Sequence, residues 1–251
     1  MITSGPGGVP KYDKIGSGYA SRRRADPRLG TMIREAIGSA SSVLNIGAGA
    51  GSYEPSDCQV VALEPSDVML NQHPGHRRVR GVAEYLPFRD EAFDVAMAIL
   101  TVHHWSDLSA GLVEMRRVSG RQVVFTWDPD HARKLWITTD YIPAIDELES
   151  SRFATLKRIV DALDAHTVVP FEIPHDFIDG FQGAFWRRPE MFLDPEVRAA
   201  SSTFASLPPE LVEPGIEQLR HDLQTGKWHA TYAELLGQDS ADLGHRIVIA
   251  G

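Results

Sequence analysis

The sequence is poor in features that mark several classes of protein. It has one cysteine, Cys58, in 251 residues, which excludes an intrachain disulfide framework and fits a reducing cytoplasm. No apolar run approaches the roughly 18–20 residues of a membrane-spanning helix, and residues 1–14 lack the apolar stretch of a signal peptide. We therefore expect a cytoplasmic protein that does not bind membranes.

Positive charge is scarce as well. The chain has 25 Lys and Arg against 34 Asp and Glu, a formal net charge of −9, whereas proteins that bind a phosphate backbone usually present a basic face. The one cluster of positive charge, Arg22–Arg24, is more typical of a solvated helix face. We expect no nucleic-acid partner, and both a monomer and a homodimer are compatible with the sequence.

The first half of the chain alternates between strand and helix patterns. A helix is predicted to start at Asp26 and Pro27, with Asp26 as the N-cap and Pro27 as the first helical residue. Gly38 is placed to end this helix. Apolar runs predict strands at 42–46, 59–63, 78–82, 92–100 and 122–127, with a helix at 108–118. Strands that alternate with helices predict a parallel sheet covered on both faces.

The pattern changes after residue 127. Helical spacing extends over 131–165, a β-branched run follows at 167–173, and a last strand is predicted at 245–250. The stretch 174–242 is rich in Pro, Trp and Phe and has no clear strand pattern. The predicted fold is α/β and Rossmann-like, with a mostly parallel seven-stranded sheet and a helical insertion before the last strand. The predicted units are a disordered lead-in at 1–11, a core formed by 12–173 and 243–251, and a substrate-covering insertion at 174–242.

Glycines at positions 47, 49 and 51 directly follow the first predicted strand. Glycine lets the chain turn sharply there, so that the backbone of Gly47, Ala48 and Gly49 can lie against a ligand. The free N–H groups of a following helix would favour a negative ligand group such as a carboxylate. Taken alone, this pattern also fits a tight turn that binds nothing.

An acidic residue strengthens the ligand interpretation. Glu64 ends the second strand, 17 positions after Gly47 and just before Pro65, where a carboxylate can accept hydrogen bonds from ribose hydroxyls. Position 52 is Ser, so the third glycine comes one residue too early for the dinucleotide fingerprint. The connection from 51 to 59 is also too short for a long pyrophosphate-binding helix. These features favour S-adenosylmethionine over NAD as the cofactor.

A third motif follows, in which Ala83 and Glu84 precede Leu86-Pro87-Phe88 and Phe93-Asp94. With this motif, residues 12–127 resemble the class I S-adenosylmethionine-dependent methyltransferases of the type 11 group. The resemblance implies that Ala83 and Glu84 lie at the adenine edge. Many relatives carry Asp where Val82 stands here, so the contact to the adenine amino group could fall to Glu84 or to the backbone.

The leading segment of the chain also looks like that of the group. The resemblance implies that Tyr19 and Arg23 lie near the methionine carboxylate of the cofactor. A surface helix with one packed tyrosine explains the same residues equally well.

The fourth strand leads into Leu100 and the pair His103-His104. Ligands of such sheets bind beyond the carboxyl ends of the strands, so Leu100 is a candidate cofactor contact. An imidazole there could act as a general base at neutral pH, with His104 ahead of His103. Paired histidines recur at this place in relatives with varied substrates, which suggests shaping of the loop instead. Adjacent histidines lack metal-ligand spacing, so no metal site is predicted.

Methyl transfer does not always need a base, because alignment of the nucleophile with the sulfonium and exclusion of water provide much of the acceleration. Interest therefore shifts to residues that would line an acceptor pocket. The candidates are Tyr12, Trp127, His175, Asp176 and Trp186. The alternative is that the aromatic residues form the core of the insertion.

The sequence thus predicts a methyltransferase that moves the methyl group of S-adenosylmethionine to an O, N or C nucleophile of a small molecule, such as a natural-product intermediate. Two alternatives stay open. One is a non-catalytic protein of the same fold that binds S-adenosylmethionine or a partner. The other is an NAD-linked oxidoreductase, which the glycine spacing disfavours.

Overall fold

The computed structural model describes residues 24–152 and 156–251. Its first half alternates strands and helices. The elements are α1 (Pro27–Ile37), β1 (Ser42–Ile46), β2 (Gln59–Glu64), α2 (Asp67–Gln72), β3 (Arg78–Arg80), β4 (Phe93–Ile99), a 3₁₀ helix (Val102–His104), α3 (Leu108–Val118) and β5 (Ser119–Trp127). The start of α1 follows from its sequence, because the Asp26 side chain accepts a hydrogen bond from the Arg28 amide. Gly38 ends the helix with a φ of 69°.

The second half begins with a helical region and ends in a strand. Its elements are a 3₁₀ helix (Pro129–Lys134), a π-helical turn (Ile137–Tyr141), α4 (Ala144–Arg152), α5 (Leu156–Leu163), β6 (Thr167–Pro170), β7 (Ile173–Pro174), 3₁₀ helices (Gln182–Phe185 and Pro189–Leu193), α6 (Pro195–Ala199), a 3₁₀ helix (Phe204–Ser206), α7 (Pro209–Gln224), α8 (Lys227–Thr231), α9 (Ala233–Leu236), β8 (Ser240–Ala241) and β9 (His245–Ala250). No helix among the described residues is long and apolar enough to cross a membrane.

Seven strands form one mixed sheet in the order β3-β2-β1-β4-β5-β9-β6. The pairs from β3 to β5 are parallel, and β9 is antiparallel to both β5 and β6. The predicted fold class is therefore confirmed. In a parallel sheet the carboxyl ends of the strands share one edge, so the residues that follow β1, β2, β4 and β5 meet there.

Two details of the predicted pattern are wrong. The run 167–173 is not one strand, because β6 ends at Pro170 and the chain then leaves the main sheet to form β7, which pairs with β8. Proline has no N–H to donate to a strand ladder, which makes a break there natural. The stretch 174–242 also contains strand residues, since Pro174 pairs with Ser240 at its two ends.

Helices cover both faces of the sheet. On one face, α3 and α5 pack over β1, β4 and β5. On the other face, α1 shares a larger core with residues from 135–145 and 171–243. Trp136 lies at the centre of this second core, because its ring is 5.2 Å from that of Trp228 and its Nε1 donates to the Trp186 carbonyl at 2.7 Å. The segment before β6 therefore packs into the same core as the predicted insertion, and the predicted unit boundaries stay a prediction.

Candidate functional site

The glycine loop turns sharply between β1 and the rest of the site. Gly47, Gly49 and Gly51 have φ angles of 70°, 56° and 85°, which residues with a side chain rarely adopt. The amides of Gly47 and Ala48 both donate to the Leu63 carbonyl, at 2.8 and 3.0 Å. A Cβ atom at Gly47 would overlap the Thr101 side chain. The loop is therefore clamped between β2 and the residues that follow β4.

Glu64 faces this loop from the end of β2. It is 5% exposed, and its Oε2 accepts a hydrogen bond from the Gly49 amide at 3.0 Å. Its Oε1 accepts one from the Ser66 amide at 3.1 Å, across Pro65. Each carboxylate oxygen can accept more than one hydrogen bond, so this orientation leaves Glu64 able to accept from ribose hydroxyls, which stays a prediction.

A buried polar network supports the loop from behind. Glu54 Oε1 accepts from Asn45 Nδ2 at 2.9 Å and lies 2.9 Å from His73 Nε2. The Gly75 amide donates to His73 Nδ1 at 2.9 Å, so Nε2 carries the proton and donates to Glu54. A Cβ atom at Gly51 would lie 2.9 Å from His73 Nε2. The sequence did not predict this role for Glu54 and His73. The one indication of the network was Asn45, a polar residue in an apolar strand.

The Ala83-Glu84 pair lies next to the loop that follows the two histidines. Glu84 is 9% exposed, and its Oε1 accepts from the amides of Ser106 and Asp107, at 2.6 and 3.0 Å. Ala83 is buried against the same region, since a Cβ atom at Gly111 would lie 3.2 Å from its Cβ. Glu84 thus holds the start of α3, a role that the resemblance did not imply. Its predicted contact to adenine is untested.

The residues that follow β4 have a strained turn. Leu100 has a φ of 51°, an uncommon conformation for a bulky side chain and one that often marks a functional site. Its amide donates to the Phe125 carbonyl at 2.8 Å. The imidazoles of His103 and His104 lie 3.9 Å apart, and it is His103, the second choice of the sequence argument, that faces the cavity described next.

A cavity of about 110 Å³ lies at the carboxyl ends of β4 and β5. The sequence analysis had singled out three of its lining residues, Leu100, His103 and Trp127. Trp127 is held by its Nε1, which donates to the Leu243 carbonyl at 2.6 Å. Gly47 packs against Thr101, while Leu100 and His103 line the cavity. Residues 100–103 therefore form one wall that the glycine loop and the cavity share.

The other predicted acceptor contacts lie elsewhere. Trp186 is 1% exposed in the aromatic core, where its Nε1 donates to the Ile173 carbonyl at 3.1 Å. Asp176 is exposed and forms an ion pair with Arg28 at 2.6 Å. The His175 amide donates to the Asp239 carbonyl, outside the cavity lining. The packing of Trp186 favours the alternative that it belongs to a core. Tyr12, Tyr19 and Arg23 lie outside the described residues.

Three ionisable residues of the cavity were missed. His131 follows β5, Glu149 lies on α4, and His245 begins β9. Glu149 is 6% exposed and accepts from Thr203 Oγ1 at 2.8 Å. Burial lowers the pKa of His245 to about 3, and the nearby Arg246 guanidinium adds to the effect. Because His131, Glu149 and His245 are far apart in the sequence, no local pattern indicates that they share a cavity.

None of the described residues form a group of three His, Cys, Asp or Glu side chains that could hold a metal ion.

Comparison with known proteins identifies the family. Residues 44–124 match a family model described as a methyltransferase domain. A crystal structure from Anabaena variabilis ATCC 29413, described as a methyltransferase from an antibiotic biosynthesis pathway, is 34% identical over 92% of this chain and 99% of that chain, with a TM-score of 0.84. The chain belongs to the S-adenosylmethionine-dependent methyltransferases. Its cofactor is S-adenosylmethionine, and the NAD-linked alternative is set aside.

Two curated relatives match over shorter stretches. The uncharacterized methyltransferase YcgJ of Bacillus subtilis is 35% identical over 104 residues, which are 36% of this chain and 41% of that protein. The uncharacterized protein YafE of Escherichia coli is 40% identical over 65 residues, 24% of this chain and 31% of that protein. The chain thus matches less than half the length of these two relatives.

The residues of this methyltransferase fit its cofactor. Gly47 and Gly51 have no room for a Cβ atom and have positive φ angles, so the loop presents bare backbone at the end of β1. Glu64 supplies a carboxylate at the end of β2, where a ribose is expected. No helix forms between Gly51 and β2, so the helix expected after the glycine loop is absent. The short connection agrees with a cofactor that has no pyrophosphate.

Proposed function

We propose that this protein transfers the methyl group of S-adenosylmethionine to a small organic acceptor that binds in the cavity at the ends of β4 and β5. The observation that carries the proposal is the shared wall at residues 100–103. The glycine loop packs on Thr101, and Leu100 and His103 face the cavity. A cofactor on the loop and an acceptor in the cavity would then both lie against the same short segment of chain, close enough for direct transfer.

When bound, the cofactor supplies a methyl group on a positively charged sulfur. The protein's own task is to hold the acceptor in line with that group and to exclude water. The buried residues Leu135 and Leu243 line the cavity together with Phe181. They come from 129–152 and 171–243, which we propose act together as the cover.

Natural-product metabolism is the setting we propose. The support is the Anabaena variabilis relative, which is described as part of an antibiotic biosynthesis pathway. Nearly the whole of that relative aligns with this chain. The cavity size supports a small-molecule partner rather than a macromolecule. A cytoplasmic location and a monomeric or homodimeric state remain predictions from the sequence.

Two measurements test the proposal. Calorimetric titration should show binding of S-adenosylhomocysteine, the demethylated cofactor, and no binding of NAD. Incubation with S-adenosylmethionine labelled in its methyl group and an extract of small metabolites should then transfer label to an organic product. Cofactor binding without transfer to any compound would favour the non-catalytic alternative, and tight NAD binding alone would contradict the cofactor assignment.

A further inference from the structure

His245 occupies a special position in the cavity. It is the first residue of β9 and lies opposite Trp127, the last residue of β5. The residue is 5% exposed, its imidazole lines the cavity, and its Nδ1 has no hydrogen-bond partner among the described residues. A buried polar atom without a partner is uncommon in proteins and calls for a functional explanation.

The imidazole is fixed by its neighbours. The Phe181 ring stacks on it with centroids 4.7 Å apart and planes 28° apart, and the Phe125 ring lies 5.7 Å away. On a third side, a Cβ atom at Gly183 would lie 3.1 Å from His245 Cε1. These contacts on three sides restrict rotation of the ring.

The ring is uncharged at neutral pH. Burial lowers its pKa to about 3, Arg246 adds to this, and Asp242 opposes it. Asp242 is itself paired with Arg246 at 2.7 Å. The other ionisable side chains that line the cavity are His103, His131 and Glu149. A neutral imidazole has one donor nitrogen and one acceptor nitrogen, which suits a hydroxyl group better than an ammonium or a carboxylate.

The rest of the lining disfavours an anionic ligand. The described lining residues include no Lys or Arg, so a carboxylate or phosphate would have no counter-charge there. Glu149 accepts a hydrogen bond from Thr203. The walls include the flat rings of Trp127 and Phe181. An apolar cavity of about 150 Å³ holds benzene, and the volume here, about 110 Å³, is smaller, so it limits the ligand to one ring at most.

We propose that the acceptor is a neutral compound with a single planar ring and a hydroxyl group, and that His245 binds this hydroxyl. The inference rests on the proposed function. In the transfer, a lone pair of the hydroxyl oxygen forms the new oxygen–carbon bond. The carbon–sulfur bond breaks with its electron pair on sulfur. The hydroxyl proton passes to a ring nitrogen of His245 and from there to water. Even a weakly basic imidazole suffices, because a protonated ether is a far stronger acid than an imidazolium.

A panel of one-ring compounds tests the ligand class. Phenol, toluene, benzoate and benzylamine are titrated into the protein saturated with S-adenosylhomocysteine, and each is assayed as an acceptor or competitor with labelled S-adenosylmethionine. We expect phenol to bind at least tenfold more tightly than toluene, with benzoate and benzylamine weaker still. Equal binding of phenol and toluene, or preferred binding of either charged compound, would overturn the assignment.

Variants then test the residue. His245→Leu removes the hydrogen bond, and we expect phenol to bind about tenfold more weakly while S-adenosylhomocysteine binds as before. His245→Asn keeps an amide near the ring nitrogens and should retain part of the affinity. The matched control is His166→Asn, because His166 is exposed and is not among the residues that line the cavity. Phenol affinity unchanged in His245→Leu would refute the role of His245.

The two proposals fail in different ways. Cofactor binding without transfer to any compound contradicts the proposed function. Transfer to an amine or a carboxylate, with no preference for hydroxylated rings, overturns only the acceptor class. If His245→Leu does not fold, His245→Asn and the panel on the unmodified protein still decide the question.

Discussion

Replacement of His245 by asparagine should change how the stability of the protein depends on pH. The pKa of the folded imidazole lies near 3, against 6.5 for an unperturbed histidine. Between these values the unfolded chain binds a proton that the folded protein does not. The stability associated with a neutral His245 is therefore complete above pH 6.5 and is lost as the pH falls toward 3.

The magnitude follows from these two pKa values. At pH 5 an unfolded histidine is almost fully protonated, and this protonation favours unfolding by about 2 kcal/mol. At pH 7.5 the same contribution is close to zero. Between pH 7.5 and pH 5, the free energy of unfolding of the wild-type protein should therefore fall by about 2 kcal/mol more than that of His245→Asn. The other titrating groups are common to both proteins.

Urea unfolding at constant ionic strength, followed by tryptophan fluorescence and far-ultraviolet circular dichroism, measures this difference. Agreement between the two probes supports a two-state analysis. His166→Asn serves as the control for replacing a histidine by asparagine, because His166 is exposed. If wild type and His245→Asn lose stability in parallel from pH 7.5 to 5, His245 is not held in its neutral form and the electrostatic argument is refuted.

Three further substitutions test the site. Glu64→Gln should weaken S-adenosylhomocysteine binding about 10- to 100-fold in calorimetry, because hydrogen bonds to a charged group contribute about 1.5–3 kcal/mol; an unchanged affinity would show that the ribose assignment is wrong. Gly47→Ala should lower both the thermal midpoint and cofactor affinity, since φ is 70° and a methyl group would overlap Thr101; a variant as stable as wild type would mean that the loop can relax. Tyr53→Phe should lower the free energy of unfolding by about 1–3 kcal/mol, because the Tyr53 hydroxyl donates at 2.8 Å to the fully buried Asp179, and a loss under 0.5 kcal/mol would argue against that bond.

The sheet and the sheet edge that carries the glycine loop could be predicted because their signals are local. Asp26 and Gly38 mark the ends of a helix through their own backbone preferences, and the strand–glycine–strand–acid order places Gly47 and Glu64 at one sheet edge. Each of these inferences needs only a few neighbouring residues and the rule that parallel strands end on the same side.

The acceptor side could not be predicted in the same way. His131, Glu149 and His245 are brought together by the packing of a 3₁₀ helix, an α-helix and the last strand, and no short-range pattern encodes that packing. Trp186 shows the opposite error, because it was predicted to line the pocket and does not. Its position among polar residues suggested a pocket, whereas the side chain packs in a core. Composition reports that a side chain is apolar, whereas only the tertiary contacts decide which surface it covers.

The shared wall at residues 100–103 has a consequence for the evolution of this enzyme. Thr101 contacts the glycine loop while its neighbours Leu100 and His103 line the cavity, so under the proposed function we expect a substitution in this wall that reshapes the cavity to disturb the loop as well. Thr138 and Gln182 line the same cavity from the cover and are not among the contacts of the glycine loop. Under the proposed function, we therefore expect acceptor preference to change more readily through substitutions in the cover than through substitutions in the wall.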